Sequence, residues 1–283
     1  MTRTATSPRF ELPRPFLKWV GGKRQLMPEL IKRIDMAGDF GRYHEPFVGG
    51  GALFFELFRM KRLRKQAWLS DNNERLIETY LGVRDDVEVL IKLLTKHKAK
   101  HSEDYYYKVR AKVPKPPTDR AARIVYLNKT CYNGLFRENR KGEFNTPFGR
   151  YKNPTICDED NLRAASKALQ KAKVENRHFD TVVKKAKPGD LVYFDPPYHP
   201  VSSTASFTAY DRGGFNEDSQ RLLADKFREL NAKGVKVLLS NSMTEFIRDL
   251  YKGFTIETVR ANRAVNSRAD RRGKVNEALI RNF

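Results

Sequence analysis

The chain has 283 residues, of which 55 are Lys or Arg and 34 are Asp or Glu, so its formal net charge is +21. This length is enough for one large domain or two unequal ones, and a hydrophobic fraction of 40% excludes an intrinsically disordered chain. So large a charge opposes compaction by self-repulsion and favours a polyanionic partner, nucleic acid ahead of an anionic membrane surface. A basic surface that serves only solubility is the remaining alternative.

Residues 1–15 and the cysteines indicate the cellular compartment. Residues 1–15 are polar and contain Pro and Arg but no apolar core, so no secretory signal is expected there. No apolar run approaches the roughly 20 residues that a membrane-spanning helix needs. Cys131 and Cys157 lack metal-ligand spacing, which favours free thiols in a reducing compartment. We therefore expect a cytoplasmic protein with no membrane segment and no metal site.

The first motif is Phe16-Leu17-Lys18-Trp19-Val20-Gly21-Gly22-Lys23, and apolar residues at Leu26, Leu30 and Ile34 then predict a helix. A Gly-Gly pair that opens a helix lets the backbone approach a ligand and offers the helix N-terminus to an anionic group. An ordinary turn is the alternative.

The second motif is a predicted strand over residues 42–47, a turn at Val48-Gly49-Gly50-Gly51 and a helix from Ala52. This order is typical of a Rossmann-like nucleotide site, but the glycine spacing is not Gly-x-Gly-x-x-Gly, which favours an adenosine-containing ligand other than a dinucleotide. A second predicted strand, 66–70, ends in Asp71-Asn72-Asn73. Taken alone, Asp71 would be interpreted as a helix N-cap. Together with the glycine turn, it is predicted to hold ribose hydroxyls.

Residues 84–129 are Lys-rich and predicted to be helical, with a break at Pro114-Lys115-Pro116-Pro117. The segment 128–153 then combines aromatic residues, amides and Arg with turns at Asn133-Gly134 and Lys141-Gly142. This pattern predicts a β-hairpin. Arg reads guanine and Asn reads adenine in the major groove, so the hairpin is a candidate for base recognition. A solvated hairpin is the alternative.

The most informative stretch is a predicted buried strand over residues 191–194, followed by Asp195-Pro196-Pro197-Tyr198. Two prolines end the ladder and leave a carboxylate, backbone carbonyls and an aromatic ring at the carboxyl end of a strand, where ligands bind in α/β sheets. A nucleobase is predicted to stack on Tyr198 while its amine donates to Asp195 and a proline carbonyl. A surface Asp in a tight turn is the alternative.

The remaining elements follow in order. Helices are predicted over 158–173, 217–231 and 246–251, a strand over 235–239, and an antiparallel pair from 255–260 and 277–282. Residues 202–214 are predicted to form a lid, and the Arg-rich loop 262–274 to contact phosphates.

The motifs in this order resemble the Dam-type DNA adenine-N6 methyltransferases, an alpha-class group of amino-methyltransferases, from Phe16 to the end of the chain. Similarity at Tyr132-Asn133-Gly134-Leu135 and over residues 144–151 points to the branch that methylates adenine within GATC. Thr130-Cys131 replaces a more aromatic and glycine-rich pair of that branch.

The resemblance implies an α/β fold: a Rossmann-like S-adenosylmethionine-dependent methyltransferase sheet with an inserted, mostly helical DNA-recognition domain that carries a β-hairpin. Residues 1–73 and 158–283 would form the catalytic domain and residues 74–157 the inserted domain. The expected cofactor is S-adenosyl-L-methionine and the expected partner is double-stranded DNA, bound by a monomer associated with the nucleoid. A cognate restriction endonuclease is a further expected partner.

The motifs and the resemblance together assign the site residues. The predicted catalytic residues are Asp195, Pro196, Pro197 and Tyr198. The predicted cofactor contacts are Trp19, Lys23, Glu45, Pro46, Phe47, Gly49, Gly51, Asp71, Asn72, His178, Phe179 and Asp195. The predicted DNA contacts are Lys18, Lys129, Tyr132, Asn133, Leu135, Arg137, Asn139, Pro147, Arg150, Tyr151, Arg268 and Arg271. Of these, Tyr132 would enter the duplex beside the extruded base.

Two alternatives stay open at the level of sequence. An amino-methyltransferase acting on cytosine-N4, RNA or a protein amide is disfavoured by the Asp at position 195 and by the GATC-like hairpin. A non-catalytic basic nucleic-acid-binding protein would explain the charge, but not the glycine turn, Asp71 or Asp195.

Overall fold

The computed structural model describes residues 12–19, 21–23, 25–201, 215–262 and 274–283. The chain divides into two compact units. The helical unit consists of Met1–Gly22, Gly49–Arg62 and Asn73–Ala172, and the sheet unit of Lys23–Val48, Leu63–Asn72 and Lys173–Phe283. The predicted lid 202–214 and the predicted phosphate contacts Arg268 and Arg271 lie outside the described residues.

One mixed sheet organises the sheet unit. Within the described residues its strands are β1 Tyr43–Glu45, β2 Ala67–Asp71, β3 Ala172–Asn176, β4 Leu191–Phe194, β5 Lys236–Ser242, β6 Thr255–Asn262 and β7 Lys274–Arg281. The strand order is β3-β2-β1-β4-β5-β7-β6. Strands β2, β1, β4 and β5 run parallel, whereas β7 is antiparallel to both β5 and β6. The predicted Rossmann-like α/β sheet and its closing antiparallel pair are confirmed.

Helices occupy both units. In chain order they are α1 Met27–Met36, α2 Ala52–Arg59, α3 Glu74–Asp85, α4 Val87–Ala99, α5 Glu103–Ala111, α6 Pro117–Thr130, α7 Glu159–Leu169, α8 Val182–Lys185, α9 Glu217–Ala232 and α10 Glu245–Leu250. Helices α2 to α7 belong to the helical unit and the others to the sheet unit. Across the described part of the chain, none of them has both the length and the apolar character needed to cross a membrane.

Helix starts correct one interpretation of the sequence and exclude one alternative. The pair Gly21-Gly22 does not open a helix, because α1 begins only at Met27, where a proline occupies the first turn and fixes its φ angle. Asp71 is not an N-cap. The α3 cap is Asn73, whose side chain accepts from the Leu76 N–H at 3.0 Å. The carboxylate of Asp71 is therefore not used as a cap.

The predicted β-hairpin is confirmed by two isolated antiparallel bridges, Cys131 with Phe148 at its base and Glu138 with Phe144 near its tip. Residues 132–134 form a 3-10 turn directly after α6, and the middle residue has a left-handed φ of 53°, which ends a helix instead of turning a strand pair. The Asn145 N–H donates to the Arg137 carbonyl at 2.9 Å, and Glu138 forms an isolated bridge with Phe144. Regular strands are absent from this part of the described chain.

The core of the sheet unit surrounds β4. All residues of Leu191–Phe194 are buried, because helices cover the sheet and leave neither face of its central strands to water. Apolar residues of α9, such as Leu223 and Phe227, pack into the same cluster as Val192 and Phe194. This packing fixes the point at which β4 ends.

A buried hydrogen-bond network around Asp190 connects β1 to the segment that precedes β4, at the edge of the sheet opposite Asp195. The Asp190 carboxylate accepts from His44 Nε2 at 3.0 Å, from the Arg42 N–H at 2.7 Å and from the Lys187 N–H at 3.0 Å. His44 is 1% and Asp190 5% exposed. Burial opposes ionisation of this carboxyl, but its three donors outweigh burial and lower its pKa to about 2.

We expect Asp190→Ala to lower the free energy of unfolding by about 2–4 kcal/mol near neutral pH, because buried donors would lose their acceptor. Since the folded-state pKa is depressed, this stabilisation is present above about pH 4 and is lost as the pH falls through the folded-state value. Urea denaturation of both proteins at several pH values measures the difference.

The matched control is Asp39→Ala. Asp39 pairs with Arg64 at 2.8 Å, but their side chains are 71% and 66% exposed. An exposed pair contributes at most about 1 kcal/mol, so this variant should remain close to wild type. Equal losses in the two variants would contradict the assigned role of Asp190.

Candidate active site

Polar residues gather at the carboxyl edge of the parallel strands in the sheet unit. Glu45 ends β1, Asp71 ends β2, Asp195 follows β4, and Ser240 lies near the end of β5. Because parallel strands end at one edge of a sheet, these side chains come from different parts of the sequence to the same edge. The edge therefore has the composition of a ligand site.

Two donors hold the carboxylate of Asp195. The ammonium of Lys23 lies 2.8 Å from Oδ1, and the Ser240 hydroxyl donates to the same oxygen at 3.0 Å. The Tyr193 and Ser240 hydroxyls are 2.9 Å apart, and since the single Ser240 proton goes to Asp195, Tyr193 donates to Ser240. Within the described part of the chain, both polar contacts of Asp195 end on Oδ1. Oδ2 retains its capacity to accept a hydrogen bond.

The environment of Asp195 disfavours its charge. Burial raises the pKa of this carboxyl above its ordinary value, although Lys23 and Ser240 act in the opposite direction. A further donor at Oδ2 would stabilise the carboxylate form. An exocyclic amine of a bound base is such a donor.

Tyr198 presents an aromatic face next to this carboxylate. The Lys23 ammonium lies over the ring at 4.8 Å from its centroid, and the phenol donates to Glu277 Oε2 at 2.9 Å. Burial, Asp195 and Glu277 raise the pKa of Tyr198 far above its usual range, so the phenol stays a hydrogen-bond donor. Sequence reasoning missed Glu277, because only the pairing of β7 with β5 brings it here.

The two proline carbonyls are not equivalent. The Gln220 side-chain NH2 donates to the Pro197 carbonyl at 2.9 Å. Within the described residues, the Pro196 carbonyl has no such partner. An incoming amine therefore finds two acceptors, Asp195 and the Pro196 carbonyl, next to one aromatic ring.

The same unit contains most of the predicted cofactor contacts. Phe47 and Phe179 stack at 5.2 Å with an interplanar angle of 24°. Glu45 is 3% exposed and accepts from the Tyr43 phenol at 2.9 Å. Asn176 Nδ2 donates to the Asp71 carbonyl at 2.9 Å, which fixes the end of β2. Carboxylates at two strand ends and a stacked aromatic pair fit a nucleoside.

Other predicted cofactor contacts of the sheet unit differ in exposure. Pro46 is buried and Asn72 is exposed. His178 pairs with Asp180 at 2.9 Å, and its ring centroid lies 4.3 Å from that of Phe179. His178 therefore lies beside the stacked pair.

The glycine turn belongs to the helical unit from Gly49 onwards. Gly49 and Gly51 have left-handed φ angles of 45° and 66°. The Tyr80 phenol donates to the Gly49 carbonyl at 3.0 Å. A Cβ on Gly49 would lie 2.9 Å from the Trp19 ring, and one on Gly51 only 2.6 Å from the Tyr80 oxygen. The turn therefore excludes side chains, and sequence reasoning missed the Tyr80 contact.

A buried amide orders the predicted recognition residues of the helical unit. Asn128 accepts from the Lys18 N–H at 2.7 Å and donates to the Lys18 carbonyl at 2.8 Å and the Gly134 carbonyl at 3.0 Å. The Lys18 ammonium lies 4.1 Å from the centroid of the Tyr151 ring. The structure thus brings Lys18 and Tyr151 together, and Asn128 holds the turn 132–134 beside them.

Tyr132 points outward from this turn. It is 53% exposed, although its N–H donates to the Pro147 carbonyl at 2.9 Å. Arg137 is exposed on the hairpin, where its guanidinium donates to the Asn145 side chain at 2.8 Å. The side chain of Asn139 stabilises the hairpin turn, because its oxygen accepts from two backbone N–H groups of that turn.

The other predicted DNA contacts vary in exposure. Asn133, Pro147 and Arg150 are exposed, and Leu135 is half-buried. Lys129 is also half-buried, and burial, with a smaller contribution from Lys18, lowers its pKa to about 8. An anionic group bound beside Lys129 would stabilise its charged form.

Comparisons with known proteins give the family. A family model described as D12 class N6 adenine-specific DNA methyltransferase matches residues 19–265. The type II methyltransferase M1.LlaDCHI of Lactococcus lactis subsp. cremoris is 42% identical over 95% of each chain. The type II methyltransferase M.MjaIII of Methanocaldococcus jannaschii is 42% identical over 95% of this chain and 99% of its own. The DNA adenine methylase of Serratia marcescens is 38% identical over 94% and 97%.

These matches cover nearly the whole of this chain and of each relative, and the edge of the sheet unit contains the acceptors that an amine substrate needs. The chain belongs to the D12 class N6 adenine-specific DNA methyltransferases.

Proposed function

We propose that this enzyme transfers a methyl group from S-adenosylmethionine to the N6 amine of an adenine extruded from double-stranded DNA, within the sequence GATC. The observation that carries the proposal is the pair of acceptors at the end of β4. Asp195 Oδ2 and the Pro196 carbonyl lie beside the Tyr198 ring with capacity to accept from one amine.

In this proposal, Asp195 and the Pro196 carbonyl make the amine of adenine more nucleophilic. The N6 nitrogen of adenine is conjugated with its ring and is a poor nucleophile. Hydrogen bonds from its two hydrogens to Asp195 and the Pro196 carbonyl draw the nitrogen toward tetrahedral geometry and localise its lone pair. As the methyl group arrives, positive charge develops on the nitrogen next to the carboxylate, so this contact is stronger in the transition state than in the ground state.

Extrusion of the base from the duplex costs a few kcal/mol. Stacking on Tyr198, at about 1–3 kcal/mol, offsets part of this cost. The Tyr198–Glu277 hydrogen bond supports this stacking role of Tyr198, because it fixes the plane of the ring before the base arrives.

The side chains of the sheet unit fit S-adenosylmethionine, which supplies an electrophilic methyl group on a sulfonium. Asp71 at the end of β2 would hold the ribose hydroxyls. The Phe47 and Phe179 rings would contact the adenine. Lys23 would pair with the methionyl carboxylate. Further proposed contacts are Glu45, Pro46, Asn72 and His178, and in the helical unit Trp19, Gly49 and Gly51.

Lys23 has two tasks in this proposal. Its ammonium pairs with Asp195 Oδ1 and also lies over the ring face of Tyr198. This ring face is the one on which we propose that the base stacks. Pairing with the cofactor carboxylate would move the ammonium away from that face. Cofactor binding would in this way prepare the site for the base.

We assign DNA recognition to residues 74–157 and to Lys18, whose neighbourhood the helical unit builds around Asn128. The exposed Tyr132 on a firmly held turn suits insertion beside the extruded base. Arg137, on the hairpin, is the candidate reader of a guanine. The net charge of +21 supports binding to the phosphate backbone.

The names of the relatives support a defined recognition sequence in DNA and a cognate restriction endonuclease. Two of them are named type II methyltransferases and one a DNA adenine methylase. We therefore propose that the enzyme protects sites cut by a cognate restriction endonuclease. We further propose that it acts as a monomer and is found with the nucleoid, since its charge of +21 favours binding to DNA.

Asp195→Ala should lower the single-turnover rate of methyl transfer by about 10²–10³-fold or more, because one of the two acceptors for the amine is lost. Affinity for S-adenosylmethionine, measured by calorimetry, should stay near that of wild type. The control is Asp225→Ala, an exposed carboxylate, 66% accessible, on α9. Turnover near wild type in Asp195→Ala would exclude the assigned role.

The proposed site is tested with unmethylated plasmid DNA incubated with the enzyme and S-adenosylmethionine. Methylation within GATC should block an endonuclease that methylated GATC inhibits, and should permit cleavage by one that requires it. N6-methyladenine in the digested nucleosides without either change would show a different recognition sequence.

Arg137→Ala should reduce discrimination at one base pair by about 1–3 kcal/mol in kcat/KM, because a bidentate contact to guanine would be lost. Arg140→Ala, at the tip of the same hairpin, should affect all sequences alike. Comparison of single-base variants of the site measures both effects. An unchanged sequence preference in Arg137→Ala would contradict the assignment.

A further inference from the structure

We infer that Gln220 and Asn241 are positioning residues for methyl transfer, which hold the Pro197–His199 backbone so that the Pro196 carbonyl and Asp195 face the same amine. The inference rests on the proposed function. Both residues lie outside the predicted catalytic, cofactor and DNA contacts.

A continuous chain of hydrogen bonds connects the two amides to the motif. Asn241, on β5, donates from Nδ2 to Gln220 Oε1 at 3.0 Å, and Gln220, on α9, donates from Nε2 to the Pro197 carbonyl at 2.9 Å. The Asn241 Oδ1 accepts from the His199 N–H at 2.9 Å and from its neighbour, the Ser242 N–H, at 2.8 Å. The two side chains thus hold a carbonyl and an N–H on either side of Tyr198.

The backbone of residues 195–199 has few hydrogen bonds of its own to fix its position. The last backbone pair between β4 and β5 is Phe194 with Leu239. Beyond it, Pro196 and Pro197 have no N–H to continue a ladder. From this point, side chains of β5 replace the backbone pairing: Ser240 binds Asp195, and Asn241 binds His199.

Burial makes this arrangement specific. Gln220 is 1% and Asn241 0% exposed. The folded state is destabilised when a buried amide loses a hydrogen-bond partner. The two side chains and the backbone groups that they bind are therefore held in a single arrangement. The direction of the Pro196 carbonyl, which precedes the held Pro197 carbonyl by one peptide, is fixed as a result.

A purely structural role would lower stability without a specific effect on the chemical step. The two roles are separated by Gln220→Glu. A carboxylate accepts from Asn241 but repels the Pro197 carbonyl, whereas a protonated carboxyl donates to Pro197 and accepts from Asn241, as the amide does. Burial raises the pKa of such a carboxyl, so protonation is accessible under mildly acidic assay conditions.

The measurement is the single-turnover rate of methyl transfer to a duplex substrate, divided by the wild-type rate at each pH. We expect Gln220→Glu to be about 10–100-fold slower at about pH 8, since small displacements of reacting groups have effects of this size. The deficit should shrink severalfold toward about pH 5.5 as the carboxyl is protonated. A ratio that does not change with pH, or a rate equal to wild type throughout, would overturn the inference.

Gln220→Met provides the second variant, since its side chain has similar length but neither donates to Pro197 nor accepts strongly from Asn241. Its deficit should be the same at every pH, with affinities for S-adenosylmethionine and DNA unchanged. If its rate loss instead follows a loss of affinity or of folded protein, the role is structural and the inference fails.

The control is Gln170→Met at the C-cap of α7, where an exposed glutamine donates to the Arg84 carbonyl at 2.7 Å. It should behave as wild type. Failure of the proposed function is recognised separately, because it would appear as wild-type enzyme that makes no N6-methyladenine or as an active Asp195→Ala variant.

Discussion

The hydrogen bond from Ser240 to Asp195 joins the two central strands of the sheet unit at the point where their backbone pairing ends. A carboxylate that is largely removed from water needs donors, and two prolines directly after it remove those of its own backbone. The neighbouring strand supplies them instead. Tyr193 donates to Ser240, and Lys23 completes the set around Oδ1. Both described contacts end on Oδ1, so Oδ2 is the oxygen that we assign to the amine in the proposed function.

Both units use a buried asparagine where the backbone leaves regular structure. Asn241 serves the segment after β4 in the sheet unit. Asn128 serves the Lys18 backbone and the turn that ends with Gly134 in the helical unit. An asparagine side chain offers the same donor and acceptor as a peptide group, so it replaces a missing strand partner in either setting. Two irregular segments to which we assign function are thereby held by the side chains of buried asparagines.

The sequence was sufficient for the elements that depend on local pattern. The buried strand at Leu191–Phe194 and the start of α9 at Glu217 were predictable, because apolar runs and helical periodicity are properties of neighbouring residues. The Asp-Pro-Pro-Tyr motif likewise predicted a polar edge at the end of β4, where Asp195 lies near Ser240 and Lys23.

The errors and omissions involve residues distant in sequence. The Gly21-Gly22 pair was expected to open a helix, but Pro28 and the burial of Leu26 set the start of α1 further on. Glu277 and Gln220 reach the motif only through strand order and helix packing, for which no short-range pattern exists. Asn133-Gly134 was interpreted as a hairpin turn, but these residues form a 3-10 turn that follows the end of α6.

The order of the last strands has a consequence for synthesis. Strand β7 lies between β5 and β6, although it follows both in the chain, and it carries the Glu277 that holds Tyr198. Until that strand has been translated, β5 has an unpaired edge and the motif lacks one of its supports. Such long-range pairings form slowly and leave intermediates open to association. Tyr198, the proposed stacking partner of the base, therefore gains its Glu277 hydrogen bond only after β7 has been synthesised and has paired with β5.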